Sequence, residues 1–555
     1  MTDRSPEAAP AARSAQQQPE PATRSISPAP PRVAVLLSER LATAGAGLDL
    51  PALQGWIEAT LPNVAAAVLP DLAVRPAMLP GHIAASGAAR VVLGLDTGVY
   101  PVAEVQTQVR KAGLDPLGVA VLDLGAHAAL AFPRAIATAR ARALIAGAVA
   151  RARAFPGTRP EHVKTAVSVA VSRRALFTLA VHEQHVVPAI RAARCVADRG
   201  CRICIDVCPR QALRLKDRRI EVDKPRCESC GMCAHACPTE AVELPGLAAA
   251  ELEAQVAALL APAAEDLAPR GILLACERSA TTLAAAVAGG FRYPAGWLPV
   301  VVPCAGMLSP TLMLRCLALG AAAVGILGCR EQCVFGQGDT VAERVAFCQA
   351  LLEKLSGAPE RVRFCPPGGA EPAAWALPDG VPAAPAGAED DRSRGVAAAL
   401  LALARAHAAP DDLVVEHAQA PLGIVDIDTA GCTTCEACAT VCPTGALASE
   451  RGADGIAITF DPTLCPACGL CAPRCPEAEH GVLRLRRAID LRRLGAGRVV
   501  LRRDQTPRCV ACGAPIAPAA MMARLAAMLG DEYTALSPVL TRLCSDCRGG
   551  APVPR

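Results

Sequence analysis

The sequence has no uninterrupted apolar run of the roughly 18 residues that a membrane-spanning helix needs. Its most apolar stretch, Cys316 to Gly328, is too short, and Arg315 precedes it. A secretory signal, a twin-arginine signal and a lipid-anchor motif are also missing. The expected compartment is therefore the cytoplasm, where structural disulfides are rare. No G-x-G-x-x-G joins a strand to a helix, since Gly45-Ala-Gly47-Leu-Asp-Leu lacks the third glycine, so no dinucleotide fingerprint is present. A P-loop and a nucleophile elbow are absent too. His182-Glu-Gln-His185 is one residue short of the zinc-protease spacing and reads as an ordinary helix face. A net charge of +4 over 555 residues is too slight to indicate nucleic acid. Arginine gathers between Arg484 and Arg508, where a solvated face is expected and a docking surface for an acidic partner is the alternative.

What the chain does have is cysteine, 27 in all. Sixteen of these form two copies of a doubled pattern in which each run ends in Cys-Pro. Cys195, Cys201, Cys204 and Cys208-Pro209 are answered by Cys227, Cys230, Cys233 and Cys237-Pro238. Cys432, Cys435, Cys438 and Cys442-Pro443 are answered by Cys465, Cys468, Cys471 and Cys475-Pro476. Three thiolates two residues apart can wrap one face of a cubane, and the fourth ligand of such a run usually serves the partner cluster. The pairing expected is Cys195, Cys201, Cys204 with Cys237; Cys227, Cys230, Cys233 with Cys208; Cys432, Cys435, Cys438 with Cys475; and Cys465, Cys468, Cys471 with Cys442. Zinc takes four ligands in two pairs, whereas each unit here supplies eight in triplets. Short strands, Ile220-Glu-Val and Ile456-Ala-Ile, deliver the second run of each unit. Both units resemble the two-cluster bacterial ferredoxin module, which implies four [4Fe–4S] clusters and a role in moving electrons. One departure is the loop of five residues, instead of two, between Cys195 and Cys201.

Between the units, residues 269–365 alternate strand and helix, which argues for a parallel α/β sheet. Gly271-Ile-Leu-Leu-Ala, Leu298-Pro-Val-Val-Val, Ala323-Val-Gly-Ile-Leu and Arg361-Val-Arg-Phe are the strand candidates, with helices around Ser309–Leu319 and Thr340–Leu355. Cysteines end these strands, at Cys276, Cys304, Cys329 and Cys365, with Cys333 just beyond the third. Strand C-termini line one edge of an open parallel sheet, so several thiols there make a metal site. The stretch is similar to the delta subunit of methyl-viologen-reducing hydrogenase, on Ala275-Cys276, Pro303-Cys304-Ala-Gly306, Gly328-Cys329-Arg-Glu-Gln-Cys333 and Gly336-Gln-Gly338-Asp339. That resemblance implies one [2Fe–2S] cluster on Cys276, Cys304, Cys329 and Cys333, with Cys365 in reserve. Arg330 and Val334 stand where the family carries histidine. Cys316 and Cys348 fall within the helices and read as buried thiols.

Residues 32–155 also alternate, with strands at Val33-Ala-Val-Leu-Leu, Val91-Val-Leu-Gly-Leu and Val119-Ala-Val-Leu-Asp-Leu. The segment from Leu79-Pro-Gly-His to Asp115-Pro116 is similar to the N-terminal domain of the heterodisulfide reductase flavoprotein subunit, but it contains no cysteine. A docking scaffold that has lost its cluster is expected, or a likeness of fold alone. At the C-terminus, Cys509, Cys512, Cys544 and Cys547 form two CxxC pairs around a helix near Met521–Leu529. Structural zinc is expected there, with a further iron–sulfur centre as the alternative.

The expected fold class is a multidomain α/β and α+β chain, in which parallel α/β domains alternate with two ferredoxin-like 2[4Fe–4S] modules and a small four-cysteine module. The expected boundaries are a disordered tail at 1–31, an α/β domain at 32–155 and a first ferredoxin module at 156–247. The delta-subunit-like domain follows at 269–365, then a Pro/Gly/Ala-rich linker at 366–395, a second module at 420–490 and the zinc-ribbon-like module at 500–550. The expected function is electron relay between redox partners, such as flavoprotein, hydrogenase or formate dehydrogenase subunits, without nucleic acid or membrane insertion and with no catalytic residue of its own. The delta-like site would sit in the middle, and the linker would let the second module swing. The alternatives are a stand-alone reductase of a disulfide-type substrate and an iron–sulfur sensor or assembly factor.

Overall fold

A computed structural model describes residues 30–70, 72, 75–96, 102–167, 182–261, 267–328, 333–366, 372–378, 392–452 and 455–548. The expected disordered tail, up to residue 29, and Cys329 lie outside the described residues. In the front domain, β1 (Val33–Ser38), α1 (Leu50–Thr60), β2 (Val64–Leu69), α2 (Leu79–Ser86), β3 (Arg90–Leu95), α3 (Val102–Lys111), β4 (Ala120–Asp123) and α4 (Arg134–Ala154) follow one another. The strands form a parallel sheet in the order β2-β1-β3-β4. Alanine dominates β2, Val-Ala-Ala-Ala-Val-Leu, and carries little strand preference, so that strand is illegible without its neighbour.

A hairpin of β5 (Val163–Val167) and β6 (His182–Val186) leads into the first ferredoxin module. The His182-to-His185 stretch is therefore a strand and not the helix face its spacing suggests. Pairing with β5 decides this, and Gln106 of α3 reinforces it by donating to the Gln184 carbonyl and accepting from its amide, at 2.8 and 2.9 Å. The module contains β7 (Ala189–Ile190), α5 (Ile203–Asp206), β8 (Leu213–Lys216), β9 (Arg219–Val222), α6 (Met232–Ala236) and β10 (Val242–Glu243), with β7 paired to β10 and β8 to β9. Helix α7 (Ala249–Leu259) then lies against α4, where Gly147 leaves room for Leu259; a Cβ there would stand 2.9 Å from the leucine Cγ.

The next domain runs through β11 (Gly271–Cys276), α8 (Glu277–Ala288), β12 (Trp297–Val302), α9 (Pro310–Ala318), β13 (Val324–Leu327), α10 (Gly338–Ser356) and β14 (Val362–Phe364). Its parallel sheet has the order β12-β11-β13-β14, the same winding as the front sheet. The strand order reverses around β11, which opens a crevice at the C-terminal edge. The two α/β domains are joined through Arg140, a fully buried residue of α4. It donates to the carbonyls of His127 and Ala295 and to the Tyr293 hydroxyl, and its guanidinium lies over the Phe132 ring at 4.3 Å. These acceptors and the ring offset the cost of burying the charge.

The stretch expected as a linker from residue 366 is in part core. Trp375 is 3% exposed and packs among Phe291, Tyr293 and Trp297, while its carbonyl accepts the Trp297 indole N–H at 2.7 Å. Residues 372–378 thus complete the α/β domain, because the Trp297 ring needs both an apolar neighbour and an acceptor. Helix α11 (Arg392–Ala406) packs on α9, with Arg315 donating to the Gly395 carbonyl at 3.2 Å.

The second module comprises β15 (Val414–Glu416), β16 (Gly423–Ile427), α12 (Ala437–Val441), β17 (Leu447–Arg451), β18 (Gly455–Phe460), β19 (Leu483–Asp490), α13 (Leu491–Ala496) and β20 (Val499–Gln505). Its sheets have the orders β15-β19-β16 and β17-β18-β20. The module therefore runs to Gln505, past the expected boundary at 490, because β20 pairs along the whole of β18. Helices α14 (Ala519–Leu529), α15 (Asp531–Leu540) and α16 (Ser545–Arg548) finish the described chain. Among the described residues, no helix is long and apolar enough to cross a membrane.

Candidate metal centres

The sixteen ferredoxin cysteines gather in four sets of four. Cys208, Cys227, Cys230 and Cys233 wall one cavity, Cys442, Cys465, Cys468 and Cys471 a second, and Cys432, Cys435, Cys438 and Cys475 a third. Cys195, Cys201, Cys204 and Cys237 make the fourth set: burial, then the charges of Cys237, Cys201 and Cys195, push the Cys204 thiol up to about 12. The five-residue loop after Cys195 folds into a 3-10 turn, Ala197–Arg199, closed by Gly200 at φ 100°, so the added length does not displace Cys195 from the set. Burial also raises Cys438 and Cys465 to about 12 and Cys471 to about 11, with neighbouring thiolates adding to the shift. Buried thiols packed this closely are stable as thiolates only around a cation, which is the condition a cluster meets.

The backbone is shaped to the same end. Ser229, Thr434 and Ala467 occupy the left-handed region at φ 54°, 51° and 53°, each two residues after the first cysteine of a triplet. Gly231, Glu436 and Gly469 repeat this after the second cysteine, at φ 83°, 63° and 81°. Left-handed turns aim amide N–H groups at sulfur: Ser229 donates to Cys227 Sγ at 3.4 Å, Ala212 to Cys208 at 3.2 Å, Ala241 to Cys237 at 3.2 Å and Leu447 to Cys442 at 3.4 Å. Non-glycine residues held at positive φ cost about 1–3 kcal/mol each and persist where the surroundings impose them. Sequence reading did not find these positions, because only the glycines advertise such a conformation.

In the middle domain, Cys276 ends β11, Cys304 follows β12 and Cys333 precedes α10, so three thiols meet at the crevice. Cys304 is pushed up to about 12, first by burial and then by Cys333, Cys230 and Cys276, while the Gly306 amide donates to its sulfur at 3.3 Å. Gln337 N–H donates to Cys333 Sγ at 3.4 Å, and Ser279 Oγ lies 3.1 Å from Cys276 Sγ. Cys365, the reserve ligand, is not part of this group. Its thiol donates to the Ala374 carbonyl at 3.3 Å and packs against Gly325, held by the Trp375 segment. Cys316 and Cys348 are fully buried, as expected of mid-helix thiols. At the matching edge of the front sheet, Ser38 ends β1 as Cys276 ends β11. Its hydroxyl donates to Asp96 at 2.7 Å, closing that crevice with a hydrogen bond in place of thiols.

The C-terminal sulfurs of Cys509, Cys512, Cys544 and Cys547 lie within 4.8 Å of one another, with Cys512 and Cys544 3.6 Å apart. A tetrahedral zinc with Zn–S of about 2.3 Å sets its sulfurs about 3.8 Å apart, so one zinc fits where a cubane would have to spread the group. Backbone amides, that of Cys544 foremost, lower the Cys509 thiol, while hydrogen bonds from the other thiols, that of Cys512 foremost, raise Cys547, so the four sulfurs share their protons as one group.

Basic residues attend the sulfur sets. Arg487 donates to the carbonyls of Ala420 and Ala467, both at 3.0 Å, beside Cys465 and Cys468. Arg344 donates to the Gly306 and Leu308 carbonyls at 2.7 and 3.0 Å, beside Cys304, and Lys164 Nζ donates to the Cys227 carbonyl. The arginine-rich stretch is largely exposed, as expected, at Arg484, Arg492, Arg498, Arg503 and Arg508, while Arg486 and Arg493 both pair with Asp426, at 3.0 and 2.8 Å. A single arginine among so many gives no sequence signal.

Residues 271–377 match the family model of the methyl-viologen-reducing hydrogenase delta subunit. Residues 194–241 match a 4Fe-4S dicluster domain and 425–448 a 4Fe-4S binding domain. The chain carries a hydrogenase delta-subunit domain between two ferredoxin domains. The delta-subunit match ends at residue 377, so it includes Trp375 and the segment that completes the domain. Among curated proteins, the chain is 40% identical over 45 residues to a component of the ion-translocating oxidoreductase complex of Methanosarcina acetivorans, covering 8% of this chain and 17% of that one. It is 54% identical over 39 residues to an uncharacterized ferredoxin of Methanocaldococcus jannaschii, covering 7% of this chain and 26% of that one. The matches thus span about a quarter or less of these relatives. Over these stretches the chain is similar to ferredoxin-type iron–sulfur domains and to the hydrogenase delta subunit.

Proposed function

We propose that this chain is the electron-relay subunit of a cytoplasmic oxidoreductase complex, passing electrons between partners of the hydrogenase, formate dehydrogenase or heterodisulfide-reductase kind. The observation that carries the reading is the convergence of sixteen cysteines into four sets of four, three of which wall a cavity of their own. Each set would hold one [4Fe–4S] cluster, in the pairing that places the fourth cysteine of each run with the other run. Cys276, Cys304 and Cys333, with Cys329, would hold a [2Fe–2S] cluster, and Cys509, Cys512, Cys544 and Cys547 one zinc. When bound, the clusters supply one-electron redox chemistry. The chain's own residues do the rest: amides of Ser229, Ala241, Gly306 and Leu447 donate to ligand sulfur and stabilise the added negative charge. Arg344, Arg487 and Lys164 add positive charge beside the ligands. The front domain would serve as a rigid scaffold.

The test is anaerobic iron, sulfide and zinc analysis of the full chain with EPR during a redox titration. Four cubane signals, one [2Fe–2S] signal and one zinc per chain are expected. Fewer than three clusters after full reconstitution would refute the relay.

A further inference from the structure

The order of the sites in space differs from their order along the chain. Cys230 is followed by Gly231, and a Cβ on that glycine would lie 2.9 Å from Met307 Sδ in the turn after Cys304. Reciprocally, a Cβ on Gly306 would lie 2.8 Å from Met232 Sδ, beside Cys233. Arg210, two residues after Cys208, holds its guanidinium over the ring of Phe335, two residues after Cys333, at 5.3 Å. These interlocked contacts press the Cys208/Cys227/Cys230/Cys233 set against the delta-subunit thiols. On its other side the first module meets the second directly. Arg199, in the turn between Cys195 and Cys201, donates to the Thr440 carbonyl, between Cys438 and Cys442, at 3.3 Å. The remaining set, Cys432/Cys435/Cys438/Cys475, faces the C-terminal module. There Thr434 donates to Asp504 at 3.0 Å, Ala520 N–H to the same carboxylate at 2.9 Å, and Arg524 to Glu477 at 2.9 Å.

Resting on the relay reading above, we propose that the delta-subunit site is one end of the relay and not its middle. Electrons then pass between it and the Cys208/Cys227/Cys230/Cys233 site, next to Cys195/Cys201/Cys204/Cys237, across the Arg199–Thr440 contact to Cys442/Cys465/Cys468/Cys471, and last to Cys432/Cys435/Cys438/Cys475. Tunnelling falls off exponentially with distance, so neighbours in space exchange electrons whatever their separation in sequence. Each step moves one electron and no atom. A reduced flavin or iron–sulfur protein supplies the electron at one end, and an oxidised one accepts it at the other.

The experiment is pulsed EPR on the reconstituted, partly reduced full chain, reading how reduced neighbours speed relaxation of the [2Fe–2S] spin. In the unaltered chain that enhancement is expected to arise from the first module. Cys230→Ala is expected to abolish it, whereas Cys468→Ala is expected to retain it and to lose the coupling between the two ferredoxin modules. Arg199→Glu, which touches no ligand, is expected to weaken inter-module coupling and leave the [2Fe–2S] enhancement unchanged; it keeps the test decisive if a cysteine variant fails to fold. An enhancement that survives Cys230→Ala but disappears with Cys468→Ala would put the delta-subunit site in the middle and overturn the order. That pattern, with full iron and sulfide in the unaltered chain, would refute the order alone, whereas an unaltered chain that binds no iron would refute the relay itself.

Discussion

Replacing Trp375 with alanine separates two accounts of the segment after Cys365. If residues 366–395 were a tether, Trp375 would be a loop residue, and its loss would change stability by no more than about 0.5 kcal/mol. The structure instead buries it to 3% exposure, with ring centroids 5.2 Å from Tyr293, 5.5 Å from Phe291 and 6.5 Å from Trp297. Alanine would leave a cavity bounded by three rings, two of which are themselves held: Tyr293 by Arg140, and Trp297 by the residue-375 carbonyl, which the variant keeps. Large aromatic-to-alanine changes in such sites cost about 3–5 kcal/mol. The hydrogen bond survives, so the loss should be almost wholly one of packing. Denaturant titration of the full chain under anaerobic conditions, followed by near-UV circular dichroism of the remaining tryptophans, reads the transition of this domain. A destabilisation of about 3 kcal/mol or more is expected; one below about 1 kcal/mol would refute the packing argument and restore the tether.

Glu251 is buried, with Oε1 unpartnered, and burial raises its carboxyl to about 7. The folded chain holds this proton more tightly than the unfolded chain, so the stabilisation is complete below about 4.5 and is lost as pH rises through about 7. Glu251→Gln should flatten that decline and stabilise the chain at pH 8 by up to about 3 kcal/mol, as melting temperature against pH would show. Cys365→Ala should leave iron and sulfide content unchanged, whereas Cys304→Ala should remove the [2Fe–2S] signal; loss of that signal in the former would show that Cys365 is a ligand. Cys544→Ser should remove the zinc and loosen the helices between the two CxxC pairs while iron stays constant, which metal analysis and limited proteolysis would check; a fall in iron would mean the C-terminal site holds a cluster.

The parallel strands of both α/β domains were legible because buried strands are short runs of Val, Ile and Leu. The cysteine triplets were legible because their thiols lie within a few residues of one another, so spacing is nearly geometry, and the doubled run pointed to the distant fourth cysteine. The elements that escaped did so for stated reasons. Alanine-rich β2 has no β-branched signature, and His182-Glu-Gln-His185 is made a strand by β5 and Gln106 rather than by its own pattern. Trp375 sits in proline- and alanine-rich sequence that reads as a linker until the rings it meets, 78 residues upstream at Trp297, are seen. The left-handed turns at Ser229, Thr434, Ala467 and Glu436 are imposed by packing around sulfur on residues that do not prefer them.

Two kinds of information separate here. The sequence alone determined the kind of chemistry and the three closely spaced thiols of each ferredoxin set, since ligands two or three residues apart have few ways to surround one centre; the fourth, from the other run, was expected from the doubled pattern. Only the tertiary structure decided which centres are neighbours. That depends on module surfaces far apart in the chain, on Gly231 against Met307, Arg210 over Phe335 and Arg199 reaching Thr440 across 241 positions. Covalent order sets the sequence in which modules are made; packing between their surfaces sets the distances, and distance governs where an electron goes.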